Sequence, residues 1–146
     1  MEVIETNLLG AFLLCREAAK RMRQCGGGAI VIVGSNTATR AIRDRCAYIS
    51  SKGGLASLVR SMAIELGRFG IRANCLVPGS IKSIRWEEHT EEWREIRRRR
   101  SPLGDIADNN DLAEAAWFLG TGLSKSITGT ELLLDSGVGA QLVPEL

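Results

Sequence analysis

One histidine and four scattered cysteines are too few, and too badly placed, for the commonest structural metal sites. Cys15, Cys25, Cys46 and Cys75 show no paired spacing, which excludes a zinc ribbon or finger and leaves them as free thiols of a reducing compartment. A cytoplasmic protein is expected on that ground. No apolar run reaches the roughly 18 residues that a membrane span needs. The run Leu8–Cys15 follows glutamates rather than a basic segment, unlike a signal peptide. Charge of one sign is also lacking: 19 basic residues against 17 acidic ones leave +2, too little to point to nucleic acid as a partner. There are no internal repeats and no low-complexity linker, so 146 residues with 45% apolar and 25% charged side chains read as a single folded unit.

What is present is an α/β alternation. From Asn7 to Met22, Leu8, Ala11, Phe12, Cys15, Ala18, Ala19 and Met22 keep helical period while Arg16, Glu17, Lys20 and Arg21 fall off the stripe. Gly26-Gly27-Gly28 ends that helix. Ala29–Val33 follows as an unbroken apolar, mostly β-branched run, the mark of a parallel strand buried on both faces. A polar loop leads to a long helix over Tyr48–Leu66, then a strand over Ile71–Val77 ending at Pro78-Gly79. Trp86–Arg100 reads as a helix with glutamates first and arginines last, the order a helix macrodipole favours. Asn110 or Asp111 is the expected cap of a helix over Leu112–Leu119. Thr130–Asp135 is a third strand, and the tail after Gly139 reads as a loose or interface-seeking end. Three parallel strands leave one sheet edge open. The glycine-rich strand-to-helix turn that grips a dinucleotide pyrophosphate is not found; Gly26-Gly27-Gly28 runs from helix to strand, the reverse of that geometry.

The chemistry-bearing stretch is Tyr48-Ile49-Ser50-Ser51-Lys52. Tyr48, Lys52, Leu55, Val59, Met62 and Leu66 share one helix face, so a phenol and an ammonium one turn apart look the same way along an otherwise apolar stripe. A cation beside a phenol favours the phenolate, and such a pair can move a proton. The bland reading is a packed tyrosine beside a lysine that snorkels to water. The neighbours argue against it: Ser35 follows the first strand, Tyr48 comes thirteen residues later, then Lys52, then Pro78-Gly79-Ser80-Ile81-Lys82-Ser83 after the next strand.

In this order and spacing the chain resembles the short-chain dehydrogenase/reductase family. The likeness extends to Asn7-Leu8-Leu9-Gly10-Ala11-Phe12, to Gly70-Ile71-Arg72-Ala73-Asn74, and to Ile127–Asp135. It implies the carboxyl-terminal portion of a Rossmann-like, doubly wound parallel α/β fold: residues 1–146 as one partial domain, without the dinucleotide-binding half. By resemblance Tyr48 is the acid/base, and Lys52 favours its phenolate and binds the nicotinamide ribose. Ser35 donates to the substrate oxygen, and Asn7, whose bland reading is a helix cap, holds water toward the lysine. Pro78, Gly79, Ile81 and Ser83 line the nicotinamide of NAD or NADP, with serine at 83 where the family usually has threonine. Other departures are Gly34 for a common serine, Asp105 for a frequent arginine, and Ser136 for the first glycine of Asp-Gly-Gly.

The implied function is oxidoreduction of a small alcohol or carbonyl compound, with no metal, nucleic acid or membrane involved. Homo-oligomers would form through the Asn7–Met22 and Tyr48–Leu66 helices, helped by the small residues Gly53, Ala56 and Ala63. An alternative is a truncated, inactive product that only associates with full-length subunits. A helical binding module using Arg97–Arg100 is a third, from another class.

Overall fold

The computed structural model describes residues 1–142. Its centre is a three-stranded parallel sheet in the order β1-β2-β5, built from β1 (Gly28–Val33), β2 (Ile71–Pro78) and β5 (Glu131–Leu134). Gly28 pairs with Ile71 and Val33 with Leu76; Cys75 pairs with Glu131 and Pro78 with Leu134. Among the described residues β1 has a strand on one side only, so the expected open edge is present.

Helices cover both faces of β2, as expected for the central strand of a parallel sheet. Ile71, Ala73, Cys75 and Val77 pack with Ile30 and Ile32 against α2 (Gly10–Gln24) and α3 (Cys46–Leu66), where Leu55, Val59 and Met62 form the buried stripe. The alternate residues of β2 face α5 (Asn109–Gly120) and the turn after it. There the Arg72 guanidinium donates to the carbonyls of Leu119 and Thr121 and to Ser124 Oγ at 2.8–2.9 Å. Asn74 Nδ2, also on that face, donates to Ile127 O at 2.9 Å. These polar side chains satisfy the carbonyls of the α5–β5 connection, which would otherwise be buried without partners.

Several expected boundaries move, each for a local reason. The first helix starts at α1 (Glu2–Ile4) and passes through a π-helical turn, Glu5–Leu9, into α2. Asn7 therefore lies inside a helical run and caps nothing. The Trp86–Arg100 helix is two pieces, a 3-10 turn over Ile84–Trp86 and α4 (Glu91–Arg99), because Thr90 accepts from Trp93 N–H and starts the helix there. Asp108, not Asn110 or Asp111, caps α5; it forms a capping box in which Asp111 accepts from the Asp108 N–H. A parallel pair of two-residue strands, β3 (Ile81–Lys82) and β4 (Ala107–Asp108), carried too little pattern to be read from sequence.

The chain after Gly139 is not loose as far as it is described: Gln141 Nε2 donates to Arg100 O at 2.9 Å, and the Arg40 guanidinium donates to the carbonyls of Val138 and Gly139. Residues 143–146, the rest of that expected tail, lie outside the described residues. Ala56 and Ala63, two of the small residues assigned to contact between subunits, are buried within the chain itself. Among the described residues no helix is long and apolar enough to cross a membrane, and no cluster of three metal-ligating side chains occurs.

Candidate active site

Parallel strands in register bring their carboxyl ends to one edge, and β1 and β2 release Gly34-Ser35 and Gly79-Ser80 there, side by side. Ser35 is extended, with φ −165° and ψ 145°, and caps the 3-10 turn Asn36–Ala38. Its Oγ accepts from Thr37 N–H at 3.3 Å and shares a 2.9 Å hydrogen bond with Thr37 Oγ1. The loop then delivers Tyr48 in the first turn of α3. A cavity of about 360 Å³ is lined by Ser35, Tyr48 and Gly79 together, with Arg40, Arg97 and Arg100. This volume suits a small organic ligand.

Lys52 follows one turn after Tyr48. Its ammonium donates to Val33 O at 2.9 Å and lies 5.8 Å from the centre of the Tyr48 ring. The contact explains how a lysine sits in line with a buried stripe: the charge ends on a strand-end carbonyl. Asn7 reaches the same helix through Ser51. Asn7 Nδ2 donates to Ser51 Oγ at 3.1 Å, and Ser51 Oγ donates to Tyr48 O at 2.6 Å. The π-helical turn gives Asn7 this aim by inserting one residue into the helical repeat, a device common near functional sites. Sequence reasoning gave no role to Ser51 or Thr37. The signal for Ser51 was a serine at the core spacing of Leu55 and Val59; Thr37 had none.

Gly79 cannot carry a side chain. A Cβ there would come 2.6 Å from Asp135 Cβ and 3.2 Å from Asn36 Nδ2, so the backbone lies bare along the cavity. Asp135 is buried, and its carboxylate accepts from Gly137 N–H at 3.1 Å and Gly139 N–H at 2.6 Å, folding residues 135–139 under the cavity. Of the four residues expected along the nicotinamide, Gly79 lines this cavity, whereas Pro78, Ile81 and Ser83 lie beside it in the chain without lining it.

Two departures from the family pattern meet visible partners, and the third carries a visible cost. At Gly34 a Cβ would come 2.7 Å from Cys75 Sγ, so the sulfur takes the place of the common serine. Burial, with a smaller push from the Glu131 charge, raises the Cys75 thiol to about 11. Asp105 pairs with Lys82 at 2.5 Å, tying β3 to the loop before β4, and that hydrogen bond holds its carboxyl below the ordinary range. Ser136 takes a left-handed conformation, φ +55°, which costs a side chain what it does not cost glycine.

The residues fit the nicotinamide-ribose end of a dinucleotide. An ammonium has three donors, Val33 O takes one of Lys52's, and among the described residues no hydrogen bond takes the others, which suit ribose hydroxyls. A helix-opening glycine turn for the pyrophosphate is not among the described residues.

A parallel sheet covered by helices on both faces, with Ser35 just after β1 and Tyr48 and Lys52 in the helix that follows, defines a Rossmann-like architecture. A family model described as enoyl-(acyl carrier protein) reductase matches residues 1–139, and the chain belongs to the short-chain dehydrogenase/reductase family. It is 39% identical over 145 residues to L-rhamnose 1-dehydrogenase (NAD(P)(+)) of Azotobacter vinelandii, covering 97% of this chain and 57% of that protein. Among solved structures, it resembles a short-chain dehydrogenase/reductase-family oxidoreductase from Burkholderia thailandensis with a TM-score of 0.88 at 37% identity, over 94% of this chain and 55% of that one. A gluconate 5-dehydrogenase from Burkholderia cenocepacia, solved in complex with NADP and tartrate, matches with a TM-score of 0.85 at 28% identity, over 93% and 54%. The chain spans about half the length of the curated relatives it matches.

Proposed function

We propose that residues 1–146 are the chemistry-bearing part of a single NAD- or NADP-dependent oxidoreductase domain that interconverts an alcohol and a carbonyl compound. The observation that carries this reading is the shared cavity: Ser35 and Tyr48, from different elements, line one space, with the Lys52 ammonium anchored one turn behind. In the oxidative direction the substrate hydroxyl gives its proton to the Tyr48 phenolate oxygen while its carbon gives up a hydride and the carbonyl forms. When bound, a nicotinamide dinucleotide is the hydride acceptor or donor. Ser35 donates to the substrate oxygen and stabilises the charge that develops there. Lys52, its ammonium 5.8 Å from the centre of the Tyr48 ring, offers its remaining donors to the ribose. Asn7 acts through Ser51 on the position of the Tyr48 turn. Gly79 is the part of the Pro78–Ser83 segment that lines the cavity, and Pro78, Ile81 and Ser83 are assigned to the nicotinamide beside it, the hydroxyl of Ser83 serving where threonine is usual.

The names of the relatives support alcohol and sugar oxidation as the reaction type. The outer faces of α2 and α3 carry exposed Phe12, Leu14 and Ile64, which supports self-association there; sedimentation equilibrium reads it directly, and a monomer at all concentrations rejects it.

The experiment for the reaction is Tyr48→Phe in the longest in-frame product that carries these residues. Turnover should fall by a factor on the order of 10²–10⁴, the range of a lost general acid/base, with cofactor binding nearly unchanged. Retained turnover removes Tyr48 from the role assigned to it.

A further inference from the structure

Five arginines stand at positions 94, 97, 98, 99 and 100, and a helix C-terminus accounts for basic residues in that place. It does not account for how they divide. Arg94 pairs with Glu87 at 2.9 Å, Arg98 with Glu91 and Glu95, and Arg99 with Glu95 at 3.0 Å. Arg97 and Arg100 are the two that line the cavity with Ser35 and Tyr48, and among the described residues neither has a carboxylate partner. The acids of α4 thus neutralise the arginines that look away from the cavity and leave the pair that looks into it.

Arg97 is also held in place. Its guanidinium lies 4.6 Å over the ring of Trp93, one helical turn before it, and that ring stacks at 3.8 Å on His89 from the segment before the helix, so the three side chains form one pile. Burial and the neighbouring Arg100 charge together lower the Arg97 guanidinium from its ordinary value: the two cations repel each other, an arrangement that an anion between them relieves. Arg40, the third arginine of the lining, is occupied by the carbonyls of Val138 and Gly139. Asp135, the carboxylate of the lining, is turned onto the amides of Gly137 and Gly139. Neither cancels the pair.

We propose that Arg97 and Arg100 are the anion-binding end of the substrate cavity, and that the substrate is a hydroxy or oxo compound bearing a carboxylate or phosphate away from its reacting oxygen. The inference rests on the oxidoreductase reading for what happens at Tyr48, and on the arginine pair in the same lining for what else the substrate carries. Guanidinium forks suit such oxyanions because they offer paired, coplanar donors. Trp93 is a positioning residue for Arg97.

The test is calorimetric titration of the longest in-frame product carrying these residues with two matched pairs: D-gluconate against D-gluconamide, and D-glucose 6-phosphate against D-glucose. At least one anion should bind tenfold or more tighter than its neutral partner, and which pair shows the preference tells carboxylate from phosphate. Arg97→Gln and Arg100→Gln should each bring that ratio toward one, and Arg97→Lys should keep part of it. Arg99→Gln, the same charge change on the same helix but outside the cavity, should leave it intact and controls for folding. Ratios within twofold for both pairs, or no binding of any of the four, overturn the proposal; so does loss of preference in Arg99→Gln equal to that in Arg97→Gln. Tyr48→Phe should keep the preference. A charge preference without hydride transfer in the unmodified protein would therefore sink the oxidoreductase reading alone, and turnover without charge preference would sink this one alone.

Discussion

The α3–β2 layer and the α4 segment contribute to the same cavity and are held by opposite means. In the first, Val59, Ala73, Asn74 and Leu76 are wholly buried, and the polar atoms among them are hydrogen-bonded. In the second, the only fully sequestered side chain from position 84 to 100 is Trp86, and the helix is kept by a threonine cap, glutamate–arginine pairs and the Trp93 stack. The difference matches the division of labour proposed here. Proton transfer needs atoms fixed to a fraction of an ångström, which a packed layer provides. Charge recognition acts over a longer range and tolerates a surface-like support.

The comparison breaks first on stability. Leu55→Ala, at a side chain 2% exposed in α3, should cost about 2–5 kcal/mol, and Ile96→Ala, 42% exposed in α4, less than about 0.5 kcal/mol, both read from denaturant midpoints. Equal losses would show that α4 belongs to the same core. Next comes the close approach at the strand end. Gly34→Ser should cost about 1–3 kcal/mol through its clash with Cys75, and the penalty should shrink when Cys75→Ala is present, a non-additivity measured by a double-mutant cycle. Additive effects would mean that the sulfur is not the obstacle.

A smaller and opposite change is expected at Ser136. Replacing it by glycine relieves a left-handed serine and should stabilise the protein by about 1 kcal/mol, against the greater chain entropy glycine brings to the unfolded state. A loss of stability would point to an unrecognised contact of its hydroxyl.

The smallest effect concerns pH. Hydrogen bonds from Arg98 and Arg99 hold the Glu95 carboxyl below its ordinary value, and Lys82 does the same for Asp105. A carboxyl depressed by folding contributes stability that is present above its unfolded value, about 4, and is lost as pH falls through the lower folded value. Both groups are exposed, so a small acid-side change is expected. In a Trp117→Phe variant, whose tryptophan fluorescence draws on Trp86 and Trp93 alone, that fluorescence should change below about pH 4 before the far-ultraviolet signal does. Simultaneous transitions would erase the distinction between the regions.

Much of the fold was legible because its signals are local. The run Ala29–Val33 was legible as a parallel strand from five residues, and the α3 stripe from a spacing of three and four; the expected burial of that strand on both faces was wrong, since Ile30 and Ile32 are buried but Val33 at the open edge is 46% exposed. The Ser35, Tyr48, Lys52 order was legible too, since each residue follows a strand end or opens a helix that the pattern itself locates. The capping box at Asp108 and Asp111 was available in principle, three residues apart, but the apolar periodicity that drew the helix starts only at Leu112. The two-residue strands β3 and β4 have no period to detect.

The sequence by itself determined the order of the main helices and of the three sheet strands, the buried face of α3, and the family, because these follow from periodicity and from residue types at fixed offsets along the chain. Only the tertiary structure decided that Lys52 ends on Val33, that Asn7 reaches Tyr48 through Ser51, that Cys75 excludes a side chain at Gly34, and that Arg97 and Arg100, of five arginines, join Ser35 at one cavity. Those contacts join residues distant in sequence, and their partners are chosen by strand register and helix rotation, which no stretch of the chain encodes alone.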